Sequence, residues 1–162
     1  MNSRFNTDEI LEIAVKIEEN GVAFYHKAAE LAEDPTVKKL FSDLSAWEKT
    51  HVRQFSELHE KYYSMKEDTE LFNPDSEATR YLKAIADGKI FVIDDMDNEI
   101  NSVSDDAVAV MKIAIQREKD TILFYSAILD GLYDTFPKDD LKTIIDEEYS
   151  HVRYLSEKLA AL

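Results

Sequence analysis

Glu48-Lys49-Thr50-His51-Val52-Arg53 and Glu148-Tyr149-Ser150-His151-Val152-Arg153 are two versions of one segment, set 100 positions apart. The register holds outward from them: Ile13-Ala14 falls on Ile113-Ala114, Glu18 on Glu118, Phe24-Tyr25 on Phe124-Tyr125, and Ser56-Glu57 on Ser156-Glu157. Self-similarity at a fixed offset marks an internal repeat. Each copy carries one Glu and then, thirty positions on, a Glu-x-x-His pair.

The repeat unit reads as a helical hairpin. From Thr7 the apolar positions Ile10, Ala14, Ile17, Gly21, Phe24, Ala28 and Leu31 alternate steps of three and four, one stripe of an amphipathic helix that Asn6 or Thr7 can cap. Asp34-Pro35 breaks the pattern and opens a second helix, because Pro disfavours helical geometry in the residue before it and suits a first turn. Its stripe runs Leu40, Leu44, Trp47, His51, Phe55, Leu58 and Tyr62 and ends near Met65. A third long helix is signalled by Ser104-Asp105-Asp106, with Met111, Ala114, Ile115, Ile122, Tyr125 and Leu129 as its apolar face. Phe136-Pro137 opens the last, with Leu141, Ile144, Ile145, Val152, Leu155 and Leu159. Between the hairpins 7–65 and 105–162 lies a crossover, 66–104, with a short helix over Ser76–Ala86 and an apolar run at Ile90-Phe91-Val92-Ile93. A connection of that length predicts that the second and third long helices run parallel.

Composition agrees with one all-α domain. The 162 residues contain three Gly and three Pro, too few turn formers for many short strands. Zero Cys removes disulfides, thiolate zinc and iron–sulfur clusters, so any metal is held by oxygen and imidazole. Nineteen Lys and Arg against thirty-four Asp and Glu give a charge of −15, which argues against nucleic-acid and membrane-surface partners. With no apolar run near bilayer length and no signal pattern, the expectation is a soluble cytoplasmic protein.

Spacing i, i+3 puts Glu48 with His51, and Glu148 with His151, on one helix face, and those faces are apolar. Bare carboxylates there carry a severe desolvation penalty. Four carboxylates and two neutral imidazoles balance two divalent cations. A Glu from each of two helices plus Glu-x-x-His from the other two is how helix bundles hold two iron or two manganese ions. The competing reading is a helical duplication whose acids form buried salt bridges, but both stripes lack Lys and Arg at the facing positions.

On these residues, the Phe-Tyr pairs and the long crossover, the chain resembles the rubrerythrin-like branch of the ferritin-like superfamily along essentially its whole length. The resemblance implies a left-handed four-helix bundle with a dinuclear centre, usually iron. It implies Glu18, Glu48, His51, Glu118, Glu148 and His151 as ligands, with Glu48 and Glu148 bridging. It implies reduction of hydrogen peroxide or dioxygen. Full-length rubrerythrins resemble this domain plus a four-Cys rubredoxin module; without Cys, the expected electron donor is an external redox protein such as a rubredoxin. The family's additional Glu, one turn along the third helix and part of its peroxidase cycle, is here Thr121. Three rival readings stay open: an iron-storage ferroxidase, a di-manganese catalase, and a metal-free interaction module. A symmetric homodimer is the expected assembly.

Tyr25 and Tyr125, two turns beyond Glu18 and Glu118, either donate to a ligand carboxylate on the opposite helix or simply fill the core. Glu19 and Glu147 are turned about 100° from their neighbouring ligands and read as solvated charges. Trp47 reads as core or dimer contact, Arg53 and Arg153 as surface partners of Glu57 and Glu157, and His26 and His59 as lying outside the site. Asp94, Asp95, Asp97 and Glu99 read as a solvated acidic loop.

Overall fold

The computed structural model describes residues 7–65, 71–87, 100–103 and 105–162. Among the described residues five helices carry the architecture: α1 Thr7–Leu31, α2 Pro35–Met65, α3 Glu77–Ala86, α4 Ala107–Gly131 and α5 Asp139–Ala160. Asn6, the apolar run Ile90–Ile93 and the acids Asp94, Asp95, Asp97 and Glu99 lie outside the described residues.

Local chemistry sets the helix starts. Asp34 Oδ1 accepts from the backbone N–H of Thr36 at 2.8 Å and of Val37 at 3.0 Å, with Pro35 as the first residue of α2. Ser76 caps α3 by accepting from Thr79 N, and Asp106 caps α4 by accepting from Ala109 N. The last helix starts two residues later than Phe136-Pro137 predicts. The Pro137 carbonyl is taken by the Tyr62 hydroxyl at 2.6 Å and the buried Phe136 ring packs edge-on against Tyr62, so both residues anchor the loop instead. Lys138 offers no side-chain cap, and Asp139 and Asp140 in the first turn of α5 set negative charge against the helix dipole.

Contacts across the bundle give the helix directions. Tyr25 meets Glu118 while Tyr125 meets Glu18, so α1 and α4 are antiparallel. Lys61 meets Asp140 and Trp47 meets His151, so α2 and α5 are antiparallel too. With α1 and α2 joined as a hairpin, α2 and α4 run parallel, as the long crossover requires. No described helix is long and apolar enough to cross a membrane.

The crossover is pinned where it passes the α4–α5 turn. Phe72 and Leu132 form an antiparallel bridge, with Asn73 N donating to Gly131 O at 2.8 Å and Tyr133 N to Leu71 O at 3.0 Å. Gly131 permits this approach, since a Cβ there would stand 2.9 Å from Thr79 Oγ1. The bridge and α3 cover a second face of α4, which is why Phe124, Tyr125, Ala127 and Ile128 are all buried.

The core has two apolar layers. One contains Ile10, Ala14, Phe55, Tyr62, Phe124 and Ile144; the other contains Phe24, Phe41, Leu44, Met111, Ala114 and Leu155. Along every long helix the residues between these layers are the repeated acids and histidines.

Candidate metal centre

All six ligands expected from the repeat come together in the bundle interior, each at most 4% exposed: Glu18, Glu48, His51, Glu118, Glu148 and His151. One ligand atom from each of Glu48, His51, Glu148 and His151 lies within 4.8 Å of the others. His51 Nδ1 stands 2.7 Å from Glu148 Oε1 and 3.5 Å from Glu18 Oε2. His151 Nδ1 stands 3.0 Å from Glu148 Oε2, 3.3 Å from Glu48 Oε1 and 3.7 Å from Glu118 Oε2. The inward nitrogen is therefore Nδ1 in both halves, and the two oxygens of Glu148 face different histidines.

The tyrosines reach across the bundle. Tyr25 donates to Glu118 Oε1 and Tyr125 donates to Glu18 Oε1. Each carboxylate is held by one oxygen and turns the other toward its histidine. Burial first, and then the neighbouring carboxylates, push both phenols well above their ordinary range, so they remain neutral donors.

The electrostatics show a cluster short of positive charge. Burial, then repulsion from Glu18 and Glu118, holds Glu48 well above the usual carboxylate range. Burial and the charges of Glu48 and Glu118 carry Glu148 up to about 7. Burial alone would raise Glu118 as well, but His151 and Glu148 beside it bring it down to about 2. Burial works to lower both histidines and is overcome: the carboxylates of Glu148 and Glu18 lift His51 to about 11, and those of Glu118, Glu148 and Glu48 raise His151 strongly. In the absence of a cation, protons do the balancing.

These residues fit two divalent ions. Glu18 Oε2, Glu48 Oε1, both Glu148 oxygens and the Nδ1 atoms of His51 and His151 are buried and, close as they stand to one another, none of them makes a hydrogen bond of good geometry. Buried polar atoms in folded proteins are satisfied almost without exception, so six orphans facing one point call for a shared electrophile. Oxygen and imidazole donors suit iron, manganese or zinc.

Two side chains depart from the sequence reading, and a third, Arg117, carries no expectation from it. Glu147 is no simple surface charge: His51 Nε2 donates to its Oε2 at 2.9 Å. Pointing away from Glu148 on α5 means pointing toward α2, and a Glu is long enough to cross. Of the two readings for Trp47 the core one does not hold: the side chain is 37% exposed, with its indole stacked on His151 at 5.5 Å and 14° and Tyr154 packed beside it. Arg117, in the register of Ile17, is half-buried; its Nη2 donates to the Ile17 carbonyl at 2.8 Å and its guanidinium lies over Phe24. Other readings agree with the geometry: Glu19 is exposed beside Lys16, His26 beside Glu30, and Arg53 and Arg153 sit beside Glu57 and Glu157. Thr121 is buried one turn from Glu118. Its repeat mate Gly21 makes room for Glu48, whose Oε2 would lie 3.0 Å from a Cβ there.

A cavity of about 220 Å³ between α2 and α5 is lined by both histidines, Trp47, Glu147, Ser150 and Tyr154. It connects the histidine side of the cluster with the surface, while the apolar layers close the two ends.

The rubrerythrin family model matches residues 9–159. Among solved structures, a Thermotoga maritima protein described as a candidate ferritin-like diiron-carboxylate protein is similar at 25% identity and a TM-score of 0.63, over 94% of this chain and 93% of that one. No curated protein sequence gives a significant match.

Proposed function

The chain belongs to the rubrerythrin family, and from that premise we propose that it is a di-iron carboxylate oxidoreductase. Its oxidant is hydrogen peroxide or dioxygen, and its electrons come from a separate redox protein such as a rubredoxin. The observation that carries this reading is the set of six orphaned donor atoms converging between two apolar layers.

In this account Glu18 and His51 hold one ion, Glu118 and His151 the other, and Glu48 and Glu148 lie between them. Two iron ions bound there would supply the two electrons that, with two protons, turn one peroxide into two waters, and the external donor would restore them. The chain's own part is geometry and exclusion. Tyr125 and Tyr25 fix the rotamers of Glu18 and Glu118 through their outer oxygens. The apolar layers keep water from either end, and the cavity beside Trp47 admits a small oxidant on the histidine side.

Anaerobic titration of iron-loaded, reduced protein with peroxide tests the reading. One peroxide consumed per pair of ferrous ions, without release of dioxygen, supports it. Dioxygen release from peroxide with no reductant would replace it with catalase chemistry, and uptake of many irons per chain would replace it with storage.

A further inference from the structure

The two halves of the centre are copies in sequence, but they differ at the residue just before each Glu-x-x-His. Trp47 and Glu147 occupy equivalent places in the repeat, each reaching the histidine of the other hairpin. Glu147 Oε2 lies 2.9 Å from His51 Nε2 and takes its proton in a charge-assisted hydrogen bond. Trp47 instead lays its ring flat against His151. An indole has a donor N–H and no acceptor lone pair, so it cannot do for His151 what Glu147 does for His51.

The difference acts on the inward nitrogens. A carboxylate accepting from Nε2–H keeps Nδ1 bare, fixes the plane of the ring and pushes electron density toward the ligating atom. The stacked indole restricts the ring of His151 but leaves its electron density alone. The negative charge of Glu147 also lies nearer the ion that His51 would hold.

We infer that Glu147 is a positioning residue for His51 and that the centre is inequivalent by construction: the position at Glu18 and His51 binds its divalent ion more tightly and fills first. The inference rests on the di-metal reading above. It assigns Trp47 the complementary role, leaving the position at Glu118 and His151 the weaker of the two.

The test is anaerobic calorimetric titration of the metal-free chain with Fe²⁺, repeated with Co²⁺, whose visible absorption reports ligation. Two resolved steps are expected for the native chain. Glu147→Ala should weaken the tighter step roughly 10- to 100-fold and leave the other in place. Glu147→Gln, which keeps an acceptor without the charge, should fall between. Trp47→Glu should tighten the weaker step and draw the two together. A nitrogen-15 spectrum of the histidines adds a readout free of metal: the His51 Nε2 resonance should move in Glu147→Ala and the His151 resonances should not. Two equivalent ions in the native chain, or equal weakening of both steps in Glu147→Ala, would overturn the inference alone. No ion bound by the native chain would overturn the proposed function and this inference with it.

Discussion

Replacing Glu148 by Gln should stabilise the metal-free protein and weaken its response to metal, and the size of the first effect follows from the site. Glu148 is fully buried, and its carboxyl is carried from an ordinary 4.5 to about 7 by burial and by Glu48 and Glu118. A carboxyl raised in the folded state favours folding at low pH, and that benefit is lost as pH climbs from the unfolded value through the folded one. At about 1.4 kcal/mol per pH unit, the native chain should give up roughly 3 kcal/mol by pH 8, and less than about 1 kcal/mol by pH 5. Gln stays neutral throughout, and the carboxylates of Glu18, Glu48 and Glu118 remain beside His51 and His151 to keep the two imidazoles charged. Thermal unfolding with chelator present should therefore show Glu148→Gln melting roughly 6–12 °C above the native chain near pH 8, with the gap closing to a few degrees near pH 5. With Fe²⁺ or Mn²⁺ in excess the order should reverse, because binding at about 100 times Kd adds roughly 2.7 kcal/mol per ion to the native chain. A variant less stable than the native chain at pH 8 without metal, or a gap independent of pH, would refute the claim that this carboxylate is held at a cost that a cation removes.

Two more substitutions probe the surrounding shell. Tyr25→Phe and Tyr125→Phe each leave a buried carboxylate oxygen without its donor, an expected loss of about 1–3 kcal/mol in urea unfolding, with the double variant losing close to the sum; no loss would mean the phenols only fill space. Gly21→Ala should move two readouts apart: helix propensity favours Ala by up to about 1 kcal/mol in thermal unfolding, while the new Cβ, 3.0 Å from Glu48 Oε2, displaces that carboxylate and should cost roughly tenfold or more in metal affinity. Unchanged metal binding in Gly21→Ala would refute the claim that the space at Gly21 sets the position of the Glu48 carboxylate.

Most of the centre was legible in the sequence because two periodicities coincide. The 100-residue register pairs the halves, and the i, i+3 spacing within each puts Glu and His on a shared face, so the six residues that cluster in the bundle interior follow without knowledge of any tertiary contact. What escaped depends on the neighbouring helix. Glu147 does turn away from Glu148, but the direction it turns is occupied by α2, and helical periodicity says nothing of that. Trp47 falls on the apolar stripe of α2 yet lines the cavity between α2 and α5, where His151 and Tyr154 of α5 cover part of the indole and the rest stays exposed. The start of α5 was misplaced because a hydroxyl from Tyr62, on another helix, claims the Pro137 carbonyl. A signal for the first of these was present: Glu147 falling on Trp47 is a break in an otherwise close register around Glu-x-x-His.

The most direct measurement is metal stoichiometry by elemental mass spectrometry, on native chain reconstituted anaerobically with Fe²⁺ and desalted, beside a Glu48→Ala, Glu148→Ala double variant. The account predicts close to two iron ions per native chain and their loss from the variant. An absence of stoichiometric metal in the native chain, or two ions retained by the variant, would contradict it.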